Sequence, residues 1–267
     1  VKTVISYFRL QGYPFMKNIP VTKLRLSGSQ MEGLMMMERV LVSKEIGLLI
    51  GESGTGKSLI LESLAKKLPQ NVYRILHLPD PQGSARYIWR HLVRQLGIDR
   101  PGPDAFRELH RQLILFHQEA GRQPVLLIDE AHHLRPEAIE QLRLLTNTTL
   151  DNLCPLILIM AGQPELSGHL QNPSYEAFNQ RVGSRYRLLP MSEQETHAYI
   201  DHHLQLVGAQ ETIFTDEAKQ AVFNCTRGIP RRVNQLCLAA MNCACLRGLT
   251  TIGPDLVNQG IEELIEV

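Results

Sequence analysis

Short apolar runs alternate with amphipathic stretches through the first two thirds of the chain. The apolar runs fall at residues 47–50, 72–78, 124–128, 155–161 and 186–189. Between them the hydrophobic spacing lengthens to a helical period at 57–67, 84–96, 104–120 and 136–146. A strand with one wet face alternates apolar and polar positions, whereas these runs are nearly continuous, so they predict strands covered on both faces. The pattern predicts an α/β sandwich: five parallel strands between layers of helix.

After Pro190 only helical periodicity remains. Ser192 with Glu195 is a capping-box signal for a helix running to about Val207. Thr215 and Asp216 open a second helix ending near Gly228, and Pro230 starts a third that Gly248 stops. Val233, Leu236, Ala240 and Ala244 make an apolar stripe along that third helix, and a last one begins near Pro254. Ahead of the first strand, residues 29–43 predict a helix with Leu34, Met37 and Leu41 on one face, and the Met35–Met37 run reads as adaptable packing. The chain's start carries Lys2, Arg9, Lys17, Lys23 and Arg25 with no acidic residue before Glu32. Tyr7, Phe8, Tyr13 and Phe15 are interleaved there with Pro14 and Pro20. The expected organisation is an irregular arm (1–30) packed on the core, an α/β domain (31–190) and a helical lid domain (191–267).

Composition narrows the partners. A net charge of +1 excludes whole-molecule attraction to a polyanion, so nucleic-acid binding must come from local patches. No apolar run approaches the roughly 20 residues that span a bilayer, and no signal-peptide order opens the chain, so a cytoplasmic protein without a membrane partner is expected. Cys154, Cys225, Cys237, Cys243 and Cys245 form no CxxC pair, and they read as small reduced hydrophobes rather than zinc ligands.

Two motifs carry chemistry. Gly51-Glu52-Ser53-Gly54-Thr55-Gly56-Lys57-Ser58 fits GxxxxGK[ST] and stands between an apolar strand and a helix. Glycines let such a loop wrap a phosphate, with backbone N–H groups and the helix N-terminus facing the anion. Lys57 is expected at the β/γ-phosphates of ATP and the Ser58 hydroxyl on Mg²⁺. The apolar run 125–128 ends in Asp129-Glu130, where Asp129 is expected to hold Mg²⁺ through water and Glu130 to polarise the attacking water. The run ending at Ala161 leads into Gly162-Gln163-Pro164. If its strand lies between the other two, Gln163 faces the γ-phosphate and can orient the water or sense the phosphate. His132-His133 follows the acidic pair; adjacent residues make an awkward metal site, and a structural role is expected for them.

These residues together resemble an AAA+ ATPase of the ExeA/TniB-type group, which includes a secretion-assembly ATPase and transposon-encoded ATPases distantly like MuB, IstB and TnsC. The likeness covers nearly the whole chain. It rests on Tyr7-Phe8 with Pro14-Phe15, the phosphate loop, Leu127 through His132, Glu140 through Asn147, Gly162 through Leu166, Gln180-Arg181 and Gly228-Ile229-Pro230-Arg231. It implies ATP hydrolysis with Mg²⁺, assembly of the protein with itself into a ring or filament, and a finger arginine at Arg181 that reaches a neighbouring subunit's ATP. Arg185 is a weaker candidate for the finger. The likeness also implies a phosphate-sensing Arg231 on the lid, where a planar guanidinium suits spread phosphate charge. Phe15 is expected against adenine.

The process is less sharply marked. Residues 84–122 hold seven arginines against four acids, with Arg86, Arg90 and Arg94 at i, i+4 and i+8 beside Trp89. Such a stripe suits the backbone of double-stranded DNA without base preference. The leading expectation is a DNA-bound regulator of transposition that recruits a transposase. A secretion-assembly ATPase module and a non-DNA signalling or defence ATPase are the alternatives.

Overall fold

The computed structural model describes residues 3–16, 19–147 and 154–265; Lys2 and Lys17 of the basic arm lie outside the described residues. In chain order the elements are α1 (Val4–Tyr7), α2 (Gly28–Ser43), β1 (Ile46–Gly51), α3 (Lys57–Lys67), β2 (Tyr73–Leu78), α4 (Ala85–Gln95) and α5 (Ala105–Ala120). There follow β3 (Gln123–Ile128), α6 (Pro136–Leu145), β4 (Ile157–Gly162), α7 (Pro164–Leu170), α8 (Glu176–Asn179) and β5 (Val182–Leu188). The last four helices are α9 (Glu193–Leu206), α10 (Asp216–Thr226), α11 (Pro230–Arg247) and α12 (Pro254–Ile265). The chain divides into two compact units: Gln30–Ser53 with Lys57–Leu188, and Val1–Ser29 with Gly54–Gly56 and Leu189–Val267.

The first unit is the expected sandwich. Its five strands are all parallel in the order β2-β3-β4-β1-β5, so β4 separates β3 from β1. β3 and β4 are buried along their whole length, as their unbroken apolar runs require. On one face Leu48, Leu126, Ile128, Leu158 and Met160 pack with Trp89, Leu92, Ile139 and Leu142 from the helices. On the other face α2 lies directly on β1. A side chain at Gly47 would come within 2.8 Å of Val40, so the glycine sets how closely that helix sits. β5 begins four residues earlier than its apolar run predicts. It is an edge strand with one buried face, Ser184 and Leu188 pointing in and Arg185 and Arg187 out, and the arginines hide its start from a search for continuous hydrophobicity.

The second unit is helical, with α9 to α12 starting and stopping close to their predicted signals. Ser192 Oγ accepts from the Glu195 N–H while the Glu195 carboxylate accepts from Ser192 N–H and, at 2.6 Å, from Gly28 N–H. Burial works against that carboxylate's charge, but these donors win and hold Glu195 below the usual carboxylate range. Gly228 sits at φ +70°, and a Cβ there would lie 1.9 Å from the Met191 carbonyl oxygen. Only glycine fits, which sets the turn delivering Pro230 and Arg231 to the start of α11.

The arm corrects an expectation. Its apolar residues belong with the helical unit: Val4, Leu10 and Phe15 lie in that unit's hydrophobic core with Ile200, Phe214, Val233 and Leu236. An apolar arm goes where unpaired apolar surface remains, and the small helical unit needs these side chains to close its core. The arm also has regular structure, since Thr3 caps α1. Phe15 stacks on His203 with ring centroids 5.3 Å apart and meets Phe214 edge-on, so its ring is used in packing rather than held open for adenine.

His203 is 1% exposed, and neither ring nitrogen has a hydrogen-bond partner among the described residues. Burial first, and then neighbouring His202, pushes its pKa down to about 4. A depressed histidine pKa means that the unfolded state takes up the proton first as pH falls. The stability contributed by neutral His203 is therefore complete above about pH 6.5 and is lost toward pH 4, up to about 3 kcal/mol. His203→Leu should lose less thermal stability than the wild type between pH 7 and pH 4.5. Parallel melting curves at the two pH values check this, and equal losses would place the acid sensitivity elsewhere.

Candidate active site

The phosphate loop leaves β1 at Gly51 and enters α3 at Lys57, so a strand end and a helix N-terminus frame it. Gly54 and Gly56 have φ of +84° and +105°, conformations that curl the backbone and that side-chain-bearing residues avoid. Lys57 is only 4% exposed, and its Nζ donates to the carbonyl oxygens of Gly51 (2.9 Å) and Glu52 (3.0 Å). The ammonium is thus held inside the loop's curve. Ser58, the next residue, is exposed. At the loop tip the Gly54 carbonyl accepts from the Arg231 N–H at 3.2 Å, and a Cβ on Gly54 would come within 2.7 Å of the Arg231 Cβ. Gly54 and Arg231 belong to one unit, and the sequence's two phosphate-directed candidates meet there.

Sheet order assembles the rest. Because β4 lies between β1 and β3, Gly51, Asp129 and Gln163 all emerge from neighbouring carboxyl ends of the sheet. Asp129 is buried, with its N–H donating to the Leu78 carbonyl and its Oδ1 accepting from the Glu130 N–H at 2.9 Å. Glu130 has the left-handed backbone φ 47°, ψ 37°, rare for a residue with a side chain and costing about 1–3 kcal/mol. That conformation turns the chain into the 3₁₀ turn Ala131–His133. Gln163 caps the start of α7.

His132 joins the two water-directed candidates, a link the sequence does not reveal. Its Nδ1 lies 3.4 Å from Glu130 Oε2, and the Gln163 side-chain amide nitrogen lies 3.0 Å from its Nε2. Burial, and then neighbouring His133, lowers its pKa, so the imidazole is neutral at neutral pH. The His133 ring packs beside that of His132, 4.2 Å between centroids, and its Nδ1 lies 3.2 Å from Asp80 Oδ1 beyond the end of β2. The two adjacent histidines thus have different partners, and the 3₁₀ turn decides which residue has which. The signal in the sequence was their place directly after the acidic pair.

Arg181 is not at this end of the sheet. Its carbonyl accepts from the Ile46 N–H at the start of β1, about 16 Å of strand from the phosphate loop, and its guanidinium donates to the Thr146 carbonyl. Arg181 therefore stands far from the loop of its own chain. Arg185 is tied to Asn179 Oδ1 at 2.7 Å. Trp89 is core rather than interface: it is 2% exposed, its indole N–H donates to Gln141, and Phe106 meets it edge-on. Arg86 and Arg94 are exposed and Arg90 half-buried, so the stripe does line the outer side of α4.

The residues present suit a magnesium nucleotide. The curled loop and buried lysine fit phosphate, and one hydroxyl with one carboxylate suffices for an ion already held by phosphates. Among the described residues no cluster of three or more His, Cys, Asp or Glu could hold a metal by itself. No described helix is long and apolar enough to cross a membrane.

Comparisons agree with this geometry. Residues 40–170 match the model of the AAA domain family. Over 204 residues, 75% of this chain, the sequence is 38% identical to the general secretion pathway protein A of Aeromonas hydrophila, and it spans only 37% of that relative's length. Among solved structures, Cdc6p of Pyrobaculum aerophilum superposes with a TM-score of 0.74 at 17% identity, covering 93% of this chain and 70% of that one. The ORC1 protein of Aeropyrum pernix, solved in complex with DNA, gives 0.70 at 16% identity over 94% and 68%.

Lys57→Ala should abolish tight ATP binding, whereas Glu130→Gln should bind ATP and turn it over very slowly. Nucleotide titration with a steady-state phosphate assay on both variants checks this pair. Unchanged affinity in the first variant, or wild-type turnover in the second, would overturn the corresponding assignment.

Proposed function

We propose, on the premise that this chain is an AAA+ ATPase of the ExeA-type group, that it is an ATP-switched, self-assembling protein acting on duplex DNA. In this reading it regulates transposition by marking a target and recruiting a transposase. Mg²⁺, bound through Ser58 and Asp129, supplies charge neutralisation on the phosphates. Lys57 and Arg231 bind the phosphate groups, Gln163 orients the attacking water and Glu130 withdraws its proton. Arg181 serves the site of an adjoining subunit, a reading supported by its separation from its own loop. This role makes hydrolysis depend on assembly.

The observation that carries the DNA reading is the charge on α4. On α5 and α6, Arg107, Arg111 and Arg143 are each paired with a carboxylate one turn away. Among the described residues no carboxylate pairs with Arg86, Arg90 or Arg94, and Arg90 Nε has no partner at all. A ridge of uncompensated guanidinium groups spaced one turn apart suits successive phosphates of a duplex. One of the structurally similar proteins was solved with DNA, in keeping with this use of the fold. A second reading, an ATPase module of a secretion-assembly system, is favoured by the 38% identity to the secretion protein.

Two experiments test the proposal. Replacing Arg86, Arg90 and Arg94 by alanine should flatten the salt dependence of duplex binding, measured with a non-hydrolysable ATP analogue, by roughly two to three units per protomer. ATP binding should survive. Identical slopes and affinities would make the ridge a solvated face, and an absence of duplex binding in the wild type would favour the secretion reading. For the finger, Arg181→Ala should slow hydrolysis by about 10³-fold or more. Mixing it with Lys57→Ala protein should restore part of the activity at mixed interfaces. No rescue from oligomers shown to mix would argue against action in trans.

A further inference from the structure

The contacts around His132 reach beyond the standard parts of the site. Glu130 Oε2 is buried and has no hydrogen-bond partner among the described residues. The His132 Nδ1 stands 3.4 Å away, near enough to serve it after a small rotation of either side chain but not hydrogen-bonded to it. Across the ring the Gln163 side-chain amide nitrogen stands 3.0 Å from Nε2, while the Gln163 backbone N–H donates to Nδ1 at 3.5 Å. A neutral imidazole donates through one nitrogen and accepts through the other. Both Gln163 nitrogens face the ring as donors, and a neutral imidazole accepts at only one nitrogen; taking the shorter contact, at Nε2, as the accepted one gives up the 3.5 Å contact and puts the proton on Nδ1, on the side of Glu130. The ring is further held from behind by His133, 4.2 Å away between centroids, which Asp80 anchors in turn.

We infer that His132 is a positioning residue of the ATPase, holding the Glu130 carboxylate and the Gln163 amide in one hydrogen-bonded relay so that the group that takes the water's proton and the group that orients the water move together. The inference rests on the roles given above to Glu130 and Gln163. A carboxylate on a left-handed backbone turn has a set direction but a free rotamer, and one donor at the end of the side chain removes that freedom. The hydrogen-bond contacts of the ring go to Gln163. Its loss should therefore affect the chemical step and spare nucleotide affinity. A partner in the shell behind a reactive group is typically worth 10–100-fold in activity.

The test measures kcat and ATP-analogue affinity for the wild type, His132→Leu, His132→Asn, Gln163→Ala, the His132→Leu/Gln163→Ala double variant and Glu130→Gln, with thermal melting on every sample. His132→Leu should lower kcat about 10–100-fold with affinity within about twofold of wild type. His132→Asn, whose amide nitrogen can occupy the place of Nδ1 and donate to Glu130, should recover a large part of that loss. In the double variant the two losses should fall well short of multiplying, because both break one relay. If His132→Leu turns over ATP at the wild-type rate while Glu130→Gln is slow, the relay is overturned and the base assignment stands. Wild-type turnover in Glu130→Gln would overturn both. Losses that multiply fully, or affinity that falls in step with kcat while His132→Asn recovers nothing, would reduce His132 to a packing residue.

Discussion

The parallel hydrogen bonding of β4 between β1 and β3 is the constraint on which the site depends. Parallel neighbours must run in the same direction, so their carboxyl ends lie side by side. With β4 in the middle, the phosphate loop, the acidic pair and Gln163 become neighbours although they come from distant parts of the chain. The same geometry excludes Arg181, which precedes β5 and so lies at the amino end of the sheet. One arrangement thus supplies most of a hydrolytic site and leaves a cationic group pointing away from it.

Charge is then placed by backbone conformation more than by side-chain pairing. Lys57 is held inside its loop by the carbonyl oxygens of Gly51 and Glu52. Asp129 is satisfied by a neighbouring N–H and stays compact at the strand end. Glu130 takes a left-handed turn that costs energy, and beyond this turn His132 lies by Glu130 while His133 meets Asp80. Local strain at a strand end here goes with a cluster of polar side chains at the carboxyl end of the sheet.

The helical unit is organised differently. Its core is completed by the chain's first residues, and its entry into α11 depends on a glycine pressed against the Met191 carbonyl. Glu195 serves two places in it: one carboxylate closes the capping box of α9 and also accepts from the N–H of Gly28, the first residue of α2. A small helical unit buries little surface for its size, so single contacts of this kind weigh more there than in the sandwich.

The sequence alone determined the α/β sandwich, the helical unit after Pro190 and the loop and acid pair, because these depend on local patterns: continuous apolar runs, caps and a glycine-rich turn between strand and helix. The capping signals at Ser192, Thr215 and Gly248 recur in the structure for the same local reason. Edge strand β5 was only half legible, since one buried face leaves the arginines on the other to break the hydrophobic run. Tertiary structure decided where the arm packs, why Phe15 and Trp89 are core, and that His132 rather than His133 stands between Glu130 and Gln163. An aromatic or a histidine carries the same local signal whether it meets solvent, a ligand or another ring. Its neighbours come from strands and helices far along the chain, so only the folded arrangement supplies the contact that gives it a role.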